Sequence, residues 1–198
     1  MQTYVVRRPG VATTAAELDA VLVRLRSFAE KPRGRNAQWI CSYALREPGE
    51  RFGLACVFQS DSVHTLQEHA ELVRTPAREI LHVASAFYVR AFAPRMVYLI
   101  RRRSFWHTLA DLESCASTAR CVADDEMARE VQWLHSYAVD EGDGMLGTVS
   151  FYQSVSPHAL RKHAQRVGMP ADEITPVIGR VVYRQHPQEQ QPRSRVLA

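Results

Sequence analysis

The chain has 198 residues, of which 46% are hydrophobic and 23% are charged, and it carries a formal net charge of +4 with a pI near 9.0. This composition is typical of a globular protein with one good core or two small ones, and it excludes disorder over most of the length. The opening residues MQTYVVRRPG are not of signal-peptide type and no run approaches the roughly 18 apolar residues of a membrane helix, so we expect a soluble, cytoplasmic protein without a membrane span.

The first half of the chain predicts the element order β-α-β-β-α-β. The predicted elements are a strand at 3–8, a helix from Thr14, a hairpin of 38–44 and 53–59 around the turn REPGER, a helix from Ser62 and a strand from about Glu79. The strands are rich in β-branched and aromatic residues. Thr14 and Ser62 are typical N-cap residues, and Glu17 completes a capping-box pattern with Thr14.

The second half repeats this order at a constant shift of 94 residues. The shift superposes Tyr4 on Tyr98, Trp39 on Trp133 and His69 on His163, and about one third of the compared positions are identical. We therefore interpret the chain as a tandem duplication. The predicted units are residues 1–93 and 97–185, and the Pro- and Gln-rich tail 186–198 is expected to be disordered.

The order β-α-β-β-α-β is that of the ferredoxin-like unit, so the predicted fold class is α+β. Alternation along the strands separates an aliphatic face from a face rich in aromatic rings, arginines, cysteines and a histidine. We expect the aliphatic face to lie under the helices. We expect the two sheets to stack through their aromatic faces as an intramolecular pseudo-dimer of the α+β-barrel kind, because so large an aromatic patch is seldom left in solvent.

Soft ligands and rings cluster on the predicted aromatic face. WICSY and WLHSY occupy corresponding positions, with Cys41 in the first and His135 in the second. A hairpin closing at 47–50 predicts Cys41 roughly opposite Cys56, where two thiols could bind a transition metal or pack as small hydrophobes. The candidate metal ligands are His135, His163, Cys41 and Cys56. The candidate pocket residues are Trp39, Tyr43, Trp133, Tyr137, Tyr152 and Arg102.

Residues 133–177 resemble a short domain family of actinobacterial type whose best-described members are dimeric, ferredoxin-like nickel-binding proteins. The resemblance lies in the motifs W-x-H-S-Y, S-P-x-A-x3-H-A and G-x-P-A-x2-I-T-x-V, which cover most of the second half and match the first more loosely. It implies Ni(II) or another soft or borderline metal as cofactor, with His135 and His163 as ligands. The first half departs from the pattern, since Cys41 stands for the motif histidine and Arg74 for Gly168.

Three functions remain open from the sequence. The first is a metal-binding or metal-responsive protein, and the second is a small-molecule binder or enzyme that uses a cavity between the two sheets, with His135 as acid or base. The third is a duplicated scaffold in which the rings only fill a core. We expect a metal ion or small molecule as partner, with a homo-oligomer also open, and no nucleic acid, because no nucleic-acid-binding motif accompanies the basic run at 101–103.

Overall fold

A computed structural model describes residues 1–29, 36–88 and 96–183, except for the side chain of Tyr88. The strands are β1 (Gln2–Ala12), β2 (Ala37–Glu47), β3 (Arg51–Ser60), β4 (Glu79–Tyr88), β5 (Met96–Trp106), β6 (Val131–Asp140), β7 (Leu146–Ser154) and β8 (Glu173–Val182). The helices are α1 (Ala15–Ala29), α2 (Val63–Leu72), α3 (Leu109–Cys121) and α4 (Pro157–Val167). The predicted α+β class and the order β-α-β-β-α-β in each half are confirmed. The predicted disordered tail and residues 93–95 of the predicted link lie outside the described residues, whereas Met96 begins β5.

The eight strands form one closed antiparallel barrel in the order β1-β3-β2-β8-β5-β7-β6-β4. Each half contributes four neighbouring strands in the ferredoxin-like order, β4-β1-β3-β2 and β8-β5-β7-β6. Antiparallel pairs β2–β8 and β4–β6 join the halves into the predicted intramolecular pseudo-dimer. No helix in the described part of the chain is both long enough and apolar enough to cross a membrane.

Local sequence signals set the helix ends. The Ser62 hydroxyl accepts from the Thr65 amide and the Ser156 hydroxyl from the Ala159 amide, both at 3.1 Å, as expected for N-caps. Thr108 and Asp111 form a complete capping box. These bonds satisfy amide groups that a helix leaves without an internal partner, so the cap positions were readable from the sequence.

The predicted assignment of the two sheet faces is wrong for the aliphatic residues and for most of the rings, whereas Cys41, Tyr43 and Tyr137 do lie between the two halves as expected. The barrel interior is a cluster of strand residues that contains all the residues of the predicted aliphatic face: Val5, Ile40, Ala55, Val57, Leu99, Leu134, Val149 and Phe151. Tyr4, Trp39, Cys56 and Phe58 pack outward under α1 and α2, and Tyr98, Trp133 and Tyr152 pack outward in the second half. An eight-stranded barrel is only wide enough to be filled by side chains. Here aliphatic groups fill it together with Tyr43, Tyr137 and Phe151, while the other large rings of the strands fill the space below the helices.

Candidate functional site

A β-bulge divides each five-residue motif between the two faces of the barrel wall. Trp39 pairs with Phe58 and Cys41 with Val57, so two residues of β2 oppose one residue of β3. The same shift occurs between Trp133 and His135. An extra residue reverses the alternation of side chains. Each tryptophan therefore points outward although the central residue two positions later points into the barrel.

The tryptophan and the serine of each motif bridge the bulge on the outer face. The Trp39 indole N–H donates to the Ser42 hydroxyl at 2.9 Å, and the Trp133 indole N–H donates to the Ser136 hydroxyl at 2.8 Å. These buried bonds satisfy the polar tip of each ring. They identify W-x-x-S as the structural part of the motif. The central residue takes no part in these bonds, so it can be cysteine in the first half and histidine in the second.

Inside the barrel, His135 meets residues of both halves. Its Nε2 lies 3.0 Å from the Tyr43 hydroxyl, and its ring stacks on Phe151 with 4.6 Å between centroids. Tyr137 contacts the same ring edge to face. The arrangement joins an imidazole to a phenol that can donate or accept a proton. Tyr43 and Tyr137 thus belong to the barrel interior and not to a pocket under the helices.

Cys41 lies in the same interior cluster, next to Tyr43. Burial raises the pKa of its thiol to about 11, although the Arg180 guanidinium and a hydrogen bond with Tyr43 favour the thiolate. The thiol therefore stays protonated near neutral pH, and a metal or a nucleophilic reaction would first require its proton to be lost.

The four predicted metal ligands are distributed over different places in the fold. Cys41 is opposite Val57, and Cys56 is opposite Ser42 on the outer face, so the predicted opposition of the two cysteines is off by one residue, because the hairpin closes with Glu47 opposite Arg51. His163 lies under α3, where its Nε2 is 2.9 Å from the Ala119 carbonyl oxygen. Residues 1–29, 36–88 and 96–183 contain no group of three or more His, Cys, Asp or Glu side chains placed to hold a metal ion.

Three of the predicted pocket residues do meet, between α3 and the outer face of the second-half strands. We call this space the α3 pocket, and its lining is Phe87, Arg102, Trp106, Leu112, Ala116, Ala119, Trp133, Ser136, Thr148, Ser150, Tyr152 and Met169. Its volume is about 20 Å³, enough for a water molecule. The predicted residues Arg102, Trp133 and Tyr152 belong to it. The sequence analysis placed the pocket between the two sheets. The structure places it outside the barrel, because these aromatic residues face outward.

Arg102 is the charged group of the α3 pocket and is only 1% exposed. Its Nε donates to the Pro170 carbonyl oxygen at 2.8 Å and its Nη1 to the Ser150 hydroxyl at 3.2 Å. Its guanidinium carbon lies 5.9 Å from the centre of the Tyr152 ring. Burial raises the pKa of Tyr152 although Arg102 opposes that shift, so the phenol is neutral beside the arginine.

The corresponding space of the first half is filled by rings. Arg8 is fully buried there and donates to the Thr75 carbonyl oxygen. The His69 ring packs edge to face against Phe28 and Phe58, at 4.9 and 5.0 Å. The second half has hydroxyl-bearing Thr148 and Tyr152 where the first has Leu54 and Phe58. The two halves therefore present the same buried arginine in different surroundings.

Trp106 is a pocket residue that the sequence analysis missed. It was outside the predicted strand, which ended at Arg102, whereas β5 continues to Trp106 through an irregular register and a Ser104 with φ of 41°. Its indole nitrogen is buried and has no hydrogen-bond partner in the described part of the chain. The aromatic pair at 105–106 directly after strand-like residues was the available signal.

Comparison with known protein families finds a similarity in the second half of the chain. Residues 98–177 match the family model described as Nickel responsive protein SCO4226-like, which covers less than half of the chain. No curated protein shows significant sequence similarity to this chain.

Among solved structures, a candidate monooxygenase from Lactobacillus acidophilus has 10% identity and a TM-score of 0.47, with 93% of this chain and 98% of that chain covered. A mutant chlorite dismutase from Candidatus Nitrospira defluvii has 7% identity and a TM-score of 0.49, with 88% and 91% covered. At such identities and TM-scores the likeness carries no argument about activity. The chain is thus similar, over residues 98–177, to the nickel-responsive family.

Proposed function

We propose that this chain is a small-molecule-binding protein that takes a small aromatic acid into the α3 pocket. The observation that carries the proposal is the buried Arg102, which lines the α3 pocket, contacts no carboxylate within the described residues and has an Nη2 without a hydrogen-bond partner there. Arg8 also has unpartnered nitrogens, Nε and Nη2, but rings fill the space around it. A buried guanidinium is costly unless it is paired and fully hydrogen-bonded. A ligand carboxylate would supply both the charge and the missing acceptor.

The walls of the pocket suit an aromatic ring. Trp133 and Tyr152 lie nearly parallel, with an interplanar angle of 22° and 6.5 Å between centroids. The unpartnered indole N–H of Trp106 provides a second donor on the same lining. Aromatic walls with a few convergent donors are typical of small-molecule sites.

Binding must widen the pocket, because its present volume is that of about one water molecule. α3 forms one wall through Leu112, Ala116 and Ala119, and a π-helical segment, Val122–Glu126, follows it directly. Such segments are rare and frequently occur at functional sites. We expect α3 to move outward when a ligand enters, with the π-helical segment absorbing the change.

The Arg102→Gln variant tests this proposal. We expect it to bind benzoate and salicylate at least about tenfold more weakly than the wild type, because a hydrogen bond to a charged group contributes about 1.5–3 kcal/mol. The measurement is isothermal titration calorimetry, with benzyl alcohol as the uncharged comparison ligand.

The matched control is Arg8→Gln, which removes the corresponding arginine under the ring-filled half. It should leave the affinity for aromatic acids within about twofold of the wild type, well below the tenfold step of 1.4 kcal/mol. Equal losses in the two variants, or a wild type that binds benzyl alcohol as well as benzoate, would refute the proposed role of Arg102.

A second candidate function is nickel binding at His135, which is favoured by the family match over residues 98–177. His135→Asn should abolish Ni(II) binding and shift the melting temperature of the metal-free protein by only a few degrees, which corresponds to about 1 kcal/mol. Cys41→Ser should weaken binding by no more than about tenfold. Elemental analysis and Ni(II) titration of protein purified without an affinity tag provide the measurement, and undiminished binding by His135→Asn would exclude His135 as the ligand.

A further inference from the structure

A large cleft lies at the end of the barrel opposite His135. It has a volume of about 810 Å³ and is lined by Arg7, Pro9, Arg46, Glu47, Pro48, Arg78, Glu79, Arg103, Glu173, Ile174, Thr175 and Pro176. We call it the arginine cleft. These residues come from the ends of β1, β2, β4, β5 and β8 or lie next to them, so strands from both halves build it. Its volume is in the range of small-molecule sites.

Arg7 is the buried cation of the arginine cleft, at 4% exposure. Its Nη2 donates to Glu173 at 2.6 Å, while Nε and Nη1 have no hydrogen-bond partner among the residues described. Glu47, the other nearby carboxylate, is 3.7 Å from Arg7 and instead accepts from the Gly10 amide at 2.8 Å. Both nitrogens are themselves buried, so Arg7 forms part of the cleft lining while two of its donors stay unsatisfied.

The corresponding residue of the second half has both terminal nitrogens occupied, and only its Nε has no hydrogen-bond partner among the residues described. Arg101 forms a two-pronged ion pair with Glu141, both bonds at 2.8 Å, and also donates to the Arg102 carbonyl oxygen at 2.6 Å. It does not line the cleft. The same arginine therefore has both terminal nitrogens bonded in the second half, whereas in the first half only its Nη2 is bonded.

The rim of the arginine cleft has a positive bias. Arg46 and Arg78 are exposed there, whereas the positions that correspond to them in the second half carry Asp140 and Asp172. The four arginines of the lining face three glutamates. Two of those glutamates, Glu79 and Glu173, are already engaged by Arg103.

From these contacts we infer that the arginine cleft binds a compact phosphoryl anion such as a phosphate or diphosphate group, anchored on the free donors of Arg7 and surrounded by Arg46, Arg78 and Arg103. Arginine side chains match phosphate oxygens in geometry and charge. A tetrahedral group offers oxygens in several directions, which suits donors that arrive from several strands. This site is separate from the α3 pocket and does not depend on the function proposed for it.

The test is calorimetric titration of the full chain with inorganic pyrophosphate and inorganic phosphate at constant ionic strength. We expect saturable binding by the wild type, tighter for pyrophosphate. The Arg46→Ala/Arg78→Ala variant should lose at least about tenfold in affinity. Both side chains are exposed, so this variant should fold normally.

The matched control is Arg24→Ala/Arg161→Ala, which removes two exposed arginines from α1 and α4 and lowers the net charge equally. Its affinity should stay within about twofold of the wild type, because non-specific attraction to charges outside the cleft is screened by salt. Absence of saturable binding by the wild type would overturn the inference. An equal loss in the control pair would overturn it as well, since the attraction would then follow net charge and not the cleft.

Discussion

Replacing Gly147 by alanine should destabilise the protein by about 3–5 kcal/mol, the cost of breaking a buried ion pair. A Cβ at this position would lie 2.5 Å from the Arg102 carbonyl oxygen and would also collide with the Glu141 carboxylate. That carboxylate is paired with Arg101, which is fully buried. The carbonyl belongs to the backbone and cannot move aside cheaply, so the substitution must displace Glu141 and leave Arg101 with only its looser contact to Glu79, at 3.7 Å.

The corresponding change, Gly53→Ala, is the control. Its Cβ would meet the Glu47 carboxylate, and the Arg8 carbonyl oxygen would be 3.2 Å away. Since Glu47 has only a loose contact with Arg7, at 3.7 Å, its displacement should cost about 1–2 kcal/mol, as for an ordinary point substitution. Urea unfolding followed by circular dichroism compares the two.

If Gly147→Ala does not fold, Glu141→Gln measures the stability contribution of the same ion pair, because it removes the charge of Glu141 and retains the shape of the side chain. It should lower the free energy of unfolding by more than Glu47→Gln does, because Glu141 is tightly paired with Arg101 and Glu47 only loosely with Arg7. Equal losses at the two corresponding positions would show that the Arg101–Glu141 pair contributes no more than its counterpart.

Stability should fall as the pH is lowered from about 6.5 to about 4, by up to about 3 kcal/mol from His69 alone. Burial, together with the charge of Arg8, lowers the pKa of His69 to about 4. In this range the unfolded chain binds a proton at His69 that the folded protein does not, so lowering the pH favours unfolding. Burial also lowers the pKa of His163, which adds to the effect in the same direction.

His69→Leu isolates the contribution of one histidine. The ring lies between Phe28 and Phe58, and its Nδ1 has no hydrogen-bond partner in the described part of the chain. An apolar side chain of similar size should therefore be tolerated. The measurement is the free energy of unfolding at pH 7 and pH 4.5 for both proteins. An unchanged pH dependence in the variant would exclude His69 as its source.

Most of the local structure could be predicted from the amino-acid order. The N-caps at Ser62, Thr108 and Ser156 and the hairpin turn around 48–50 depend on contacts a few residues apart. The order of elements in each half followed from these signals together with hydrophobic periodicity. The pairing of the halves was inferred from the size of the aromatic face. The barrel confirms the pairing but not that reason, because the halves join through β2–β8 and β4–β6 and most of the rings face outward.

The candidate site was predicted in part. Arg102, Trp133 and Tyr152 were singled out and do share one pocket, whereas Cys56 and His163 lie apart from Cys41 and His135. Strict alternation would put Trp39 and Cys41 on one face of the sheet. A bulge at Ile40 instead turns Trp39 outward and Cys41 inward, and a bulge at Leu134 has the same effect in the second half. A bulge depends on the register between strands, so single-strand periodicity does not reveal it.

The sequence by itself determined the helices, their caps, the doubled order of elements and the presence of two contrasting sheet faces, because each depends on neighbours along the chain. Only the tertiary structure decided which face is enclosed, since that depends on how well side-chain volume matches the narrow interior of a closed barrel. It also decided that Arg101 forms a two-pronged ion pair with Glu141, whereas Arg7 bonds a carboxylate through Nη2 alone. Those differences arise from contacts between residues about 40 or more positions apart, and corresponding positions with the same amino acid are indistinguishable until such contacts form.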